Sequence, residues 1–159
     1  MCESGAIVEY VLERYGEGRL APAIGSPDRA AYLQWLHFAE STAFPPLGIV
    51  VWLTRYSTAF PPLGIVVWLT RYREESDAPA QLVEDAKSRA ASGLEFLEQG
   101  LGDKSYVVGD DFTAADIMLG FTLVAAQVLG ILDDRFPKIN AYLGRLLARP
   151  ALQKAAAPQ

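Results

Sequence analysis

Residues 41–56 and 57–72 carry the same sixteen residues, STAFPPLGIVVWLTRY, without one substitution. An α-helix turns about 100° per residue, so a sixteen-residue insert rotates the rest of the helix by four turns plus roughly 160° and lengthens it by about 24 Å. A helix that simply ran on would turn its later residues away from the core. Each copy also holds a Pro-Pro pair, Pro45-Pro46 and Pro61-Pro62. A proline ring removes a backbone donor and crowds the preceding turn, but it is accepted in a first turn. The block therefore predicts two helical pieces, about residues 46–55 and 62–72, with a break near residues 56–60. One copy should pack in the core and the other be extruded. Extrusion leaves Ile65, Val66, Val67, Trp68 and Leu69, or their first-copy twins, short of partners, and such a patch favours self-association. Two identical units are too few for a repeat array, which stacks three or more.

The rest of the chain reads as helix. Ile7, Val8, Val11, Leu12 and Tyr15 fall on one helical stripe, with Ser4 placed to cap its start. Gly16, Gly18, Pro22 and Gly25 make a loop, and Ser26-Pro27-Asp28 opens a second helix with a capping hydroxyl and an early proline. A third runs from about residue 80 to 99, buries Leu82, Val83, Ala86, Ala90, Leu94, Leu97 and Leu101, and stops at Gly100 and Gly102. Residues 113–132 form a helix apolar nearly all round. Pro137 starts another, with Ile139, Tyr142, Leu143, Leu146 and Leu147 inward and Pro150 at its end. No stretch alternates apolar and polar residues for long, so no strand is expected. The fold class is all-α.

The strongest local signal is DDFTAADIML. Thr113 and Asp116 have capping-box spacing, hydroxyl to amide one way and carboxylate to amide the other, while Phe112 and Ile117 are placed to close a hydrophobic staple. Asp116 is thereby committed to structure and not to acid catalysis.

Composition removes several classes of function. At 51% hydrophobic and 21% charged, with net charge -5, the chain suits one packed domain and is a poor nucleic-acid binder. Its one cysteine, Cys2, forms neither an internal disulfide nor a CxxC metal site, so no metal is expected. Residues 113–132 have the length to span a bilayer, yet Asp116 and Gln127 interrupt them. A buried helix is the reading, with no membrane partner and a cytoplasmic setting.

YVVGDDFTAADIML with, further on, FPKINAYLGRLLARPALQKA resembles the C-terminal helical domain of bacterial-type cytosolic glutathione transferases. YLQWLHFAEST is similar to the first long helix of that domain, and ESGAIVEYVLERYG to the last helix of the family's thioredoxin-like domain. The resemblance implies residues 1–18 as a remnant of the thioredoxin-like domain and 26–159 as a glutathione transferase C-terminal-like helical bundle carrying the duplication. It implies glutathione as co-substrate, bound at Glu3 and Ser4, where a helix start suits the γ-glutamyl carboxylate. It also implies a hydrophobic electrophile against Ser41, Phe44 and His37, conjugation as the family's activity, and a homodimer. Trp35, Phe38 and Trp52 stand between this pocket and plain core. No catalytic residue is assigned. The family's thiol-activating Ser, Tyr or Cys belongs to a region this sequence does not resemble, and Cys2 at a terminus does not replace it, so the chain is expected to be inactive by itself. A non-catalytic dimerisation module and a fragment without independent function remain as alternatives.

Overall fold

The computed structural model of the chain describes residues 3–55 and 78–156. Seven α-helices lie among them: α1 Ser4–Tyr15, α2 Arg29–Phe38, α3 Phe44–Arg55, α4 Ala78–Leu101, α5 Ala114–Val128, α6 Pro137–Leu147 and α7 Pro150–Ala156. No strand occurs among the described residues. The nearest thing to one is the isolated bridge between Tyr106 and Gly109 in the α4–α5 connection. The fold is an all-α bundle.

A π-helical segment, Ala39–Ala43, joins α2 to α3 without leaving the right-handed helical region. The wider π turn accounts for the tolerance of Pro45-Pro46. Both rings fall in the first turn of α3, just after it, where a missing amide and a bulky ring do least harm. Residues 41–55 of the first copy are thus helical, and Leu47 and Val50 are buried. The second copy, the expected break at residues 56–60, Cys2 and the side chain of Trp52 lie outside the described residues.

The core is the joint face of α2 to α6. Tyr32 and Leu36 of α2, Leu94 and Leu97 of α4, Leu119 and Leu123 of α5, and Ile139, Leu143 and Leu146 of α6 meet there. The expected α4 stripe is buried from Leu82 to Leu101, with Val83 half-buried at its margin. Contrary to the expectation from sequence, Gly100 does not end this helix. It lies inside α4 because a Cβ there would collide with the Trp35 indole, so glycine permits close helix–helix approach. Gly102, at φ 53°, takes the left-handed conformation just beyond.

Five further expectations change. Ser26 caps nothing: α2 begins at Arg29, and the Ser26 hydroxyl is buried with no hydrogen-bond partner. The apolar run from Thr113 is a helix only to Val128, because Gly130, at φ 68°, turns the chain. Nor is it buried all round, since Ile117, Phe121 and Val128 are exposed. Leu147 is exposed as well, and Pro150 serves as the first residue of α7. No helix among the described residues is long and apolar enough to cross a membrane.

Candidate functional site

Two helix starts carry Thr113 with Asp116 and Glu3 with Ser4, and they differ in how they are capped. At α5, Asp116 is 1% exposed. Its carboxylate accepts the Thr113 amide at 2.7 Å and the Thr113 hydroxyl at 2.9 Å. It also accepts the Tyr142 hydroxyl at 2.7 Å and the Val107 amide at 3.2 Å. The reciprocal capping box is formed. Tyr142 comes from α6 and Val107 from the α4–α5 connection, so one carboxylate ties three segments together. Burial first, and then the Asp116 charge, push the Tyr142 phenol far above its ordinary range and keep it a donor. Phe112 finds ring partners in Tyr106, edge-on at 5.5 Å, and in the Arg149 guanidinium, 3.5 Å above its ring. Ile117, expected to complete a staple with it, is half exposed. Every oxygen of this cap is engaged, which leaves no room for a ligand.

The start of α1 is open. Glu3 precedes the helix at φ 70° and ψ 104°, a conformation that a residue with a Cβ adopts only at a cost on the order of 1–3 kcal/mol. Ser4 is the first helical residue and not the cap, and no side chain caps the turn. The first backbone bond made on the Glu3 carbonyl comes from Ile7, at 3.0 Å. By helix geometry the amides of Ser4, Gly5 and Ala6 have no carbonyl to meet. Glu3 and Ser4 are both exposed. Three unpaired donors at the positive end of a helix suit an anion.

His37, at the end of α2, packs beside this opening. Gly5 is buried under its ring, and a Cβ at Gly5 would stand 3.8 Å from His37 Nδ1. The sequence shows no orienting partner for this histidine, but the fold supplies one: Glu9 Oε1 of α1 lies 3.7 Å from His37 Nε2, longer than a hydrogen bond and mostly solvated. Ser41, one helical turn on, donates to the His37 carbonyl at 2.8 Å. Phe44 comes next and stacks on Phe121 of α5, with ring centroids 5.5 Å apart and planes tilted by 35°. Ser4, His37, Ser41 and Phe44 therefore lie along one path, from the tip of α1 across the α2–α3 joint. Trp35 and Phe38 leave it: they form a three-ring cluster with Phe96 of α4, at 5.3–5.5 Å, and belong to the packing.

Sequence reasoning does not single out Phe121, Tyr142 or Glu9 as functional. Phe121 lies in an apolar run that reads as buried, and Tyr142 reads as plain core. Glu9 meets His37 only because α1 packs across α2. No cluster of His, Cys, Asp or Glu able to hold a metal ion occurs among the described residues.

Residues 80–145 match the family model described as "Glutathione S-transferase, C-terminal domain". Glutathione S-transferase 3 of Schizosaccharomyces pombe is 26% identical over 159 aligned residues, covering 97% of this chain and 61% of its own length. Among solved structures, the bacterial glutathione S-transferase BphK superposes with a TM-score of 0.75 at 24% identity, covering 98% of this chain and 66% of its own, a likeness of fold. A glutathione transferase family member from Pseudomonas fluorescens, solved with two glutathione bound, gives a TM-score of 0.70 at 28% identity over 97% of this chain and 62% of its own. The chain thus spans 61–66% of the length of these three proteins. Together these findings show a glutathione S-transferase C-terminal domain match over residues 80–145 and a likeness of fold to the helical part of glutathione S-transferases.

Proposed function

We propose that these residues act within a glutathione transferase, with residues 1–18 as the last helix of its thioredoxin-like domain and 26–159 as its helical domain. Glutathione is the co-substrate. Its γ-glutamyl carboxylate is received by the free first-turn amides of α1 and by the Ser4 hydroxyl, and Glu3 holds the strained entry to that turn. A hydrophobic electrophile lies along Ser41, Phe44 and His37, with the exposed Phe121 ring extending the apolar wall. The observation that carries this reading is the uncapped start of α1 behind a strained non-glycine residue. A fold that caps α5 with four bonds to one carboxylate has the means to close a helix start, and here it is left open.

Conjugation further requires a donor within hydrogen-bond reach of the glutathione sulfur. Beyond Ser4 the first turn of α1, Gly5-Ala6-Ile7, offers no side-chain donor, so we assign this helix start a role in binding and not in thiol activation. A cytoplasmic homodimer is the setting in which such a protein would work.

Thermal unfolding with and without glutathione tests the binding claim. Glutathione at a hundredfold excess over its dissociation constant stabilises by about 2.7 kcal/mol, which raises the midpoint by roughly 5–10 °C. No shift at millimolar glutathione removes the claim. A conjugation assay with an aromatic electrophile then checks that turnover is absent.

A second reading is favoured by one observation. Ile7, Val11 and Tyr15 lie along one face of α1 and are 39%, 45% and 61% exposed. A non-catalytic docking module would use such a face. Sedimentation equilibrium separates the two readings: self-association abolished by Val11→Ser, without any effect of glutathione on unfolding, selects the module.

A further inference from the structure

We propose that the cleft between α1, the loop after it and α2 binds a small zwitterion, an α-amino acid with an apolar side chain. The cleft offers a volume of about 260 Å3, near the lower end of ligand pockets and too small for a folded peptide. Five polar side chains line it: Glu9, Glu13, Arg19, Arg29 and Tyr32. Leu12, Pro22 and Ile24 supply apolar wall, and Ile24 is 90% exposed. Glu9 and Glu13 stand five and nine residues beyond Ser4 on α1, so this cleft begins about 7 Å along the helix from the open helix start.

The distribution of charge selects the ligand class. Arg29 is fixed by one Nη1 bond to the Pro22 carbonyl, at 3.1 Å, and its guanidinium sits 5.1 Å from the Tyr32 ring centre. Arg19 is fixed by one Nε bond to the Gly16 carbonyl, at 3.2 Å. A guanidinium has five N–H donors, so most of both remain uncommitted. Among the described residues neither arginine forms an ion pair, nor does Glu13, and Glu9 approaches only His37. Two cations and two carboxylates thus share one cleft without a direct ion pair between them. A ligand with both signs of charge on neighbouring groups can meet both kinds of side chain, whereas a simple anion or cation meets like charge on one side.

Tyr32, 1% exposed overall, packs its ring on this wall. Burial raises the Tyr32 phenol above its ordinary value, so it is a donor at neutral pH. The ligand carboxylate accepts from Tyr32 and the guanidinia, its ammonium donates to Glu13 and Glu9, and its side chain rests on Leu12 and Ile24.

The test is an NMR titration of the chain with L-leucine, run beside 4-methylpentanoate, which lacks the ammonium, and 3-methylbutylamine, which lacks the carboxylate. Leucine should give saturable shifts in residues 18–24 and 29–32, and each half-ligand should bind at least about tenfold more weakly. Tyr32→Phe keeps the ring and removes one donor, and should weaken leucine by about three- to tenfold. Glu13→Gln, on the exposed face of α1, should narrow the gap between leucine and 4-methylpentanoate without touching the core. The proposal is overturned if leucine gives no saturable shift, if 4-methylpentanoate binds as well as leucine, or if both variants bind leucine unchanged. Glutathione unfolding shifts would be untouched by any of these outcomes, so this cleft and the α1 site fail separately.

Discussion

The starts of α5 and α1 are the same structural problem solved in opposite ways. Each must leave its first amides without helical partners. At α5 the side chains of Thr113 and Asp116 close the turn, and Tyr142 and Val107 bind the same carboxylate from other segments. At α1 nothing closes the turn, the entry residue is strained, and the flanking Ile7 and Val11 are exposed. The loop after α1 is nonetheless fastened to the body: Leu20, at φ 64°, gives its carbonyl to the Ala114 amide at 2.8 Å. A single bond thus joins the trailing end of the open element to the first turn of the closed one. A closed start serves stability, and an open one is available for a ligand.

Substitutions should separate the two starts by size of effect. Asp116→Ala removes the cap and orphans the Tyr142 hydroxyl and the Val107 amide, all buried, so urea unfolding should show a loss of about 3–5 kcal/mol. A loss under about 1 kcal/mol, the worth of an ordinary cap, would mean the network is not what holds α5. Tyr142→Phe deletes one bond to a charged acceptor and should cost about 1.5–3 kcal/mol.

The same tyrosine fixes a pH dependence. Its folded pKa is raised above the ordinary value of 10, so the folded state keeps a proton that the unfolded chain releases. Its contribution is complete below pH 10 and is lost as the pH rises further. Wild-type stability should therefore fall above about pH 10, and Tyr142→Phe should flatten that fall. Equal slopes in the two proteins would contradict the assigned donor role.

At α1 the effects should be small or reversed. Glu3→Gly relieves a positive φ and should stabilise by about 1 kcal/mol or leave stability unchanged, while weakening the glutathione-induced shift. His37→Ala removes a solvated contact with Glu9 and should change stability by less than about 1 kcal/mol. If these changes destabilise as strongly as those at Asp116, α1 is a structural cap like α5 and the contrast collapses.

Local rules make much of this visible in sequence. The Thr113–Asp116 box needs only capping-box spacing, and the α4 stripe from Leu82 to Leu101 only a helical period. The features that local rules miss come from neighbours distant in sequence. Gly100 reads as a stop signal, and only the Trp35 indole pressed against it shows why the helix continues. Tyr142 reads as one more apolar residue until Asp116 arrives from another helix. Glu98 lies off the buried stripe of α4, yet it accepts the Lys138 and Ile139 amides at 2.9 Å and caps α6 from across the bundle. The candidate site is legible as residues but not as a place. Ser4 and His37 are joined through Gly5, whose lack of a side chain carries no local signal.

Native-state hydrogen exchange with and without glutathione tests the contrast between the two helix starts most directly. The amides of Ser4, Gly5 and Ala6 should exchange fast in the free chain and become protected as glutathione saturates. The Asp116 amide in the α5 cap should be slow in both conditions. Amides at the start of α1 that are already as slow as those of α5, or that glutathione leaves unchanged, would contradict the assignment of an open helix start as the glutathione site.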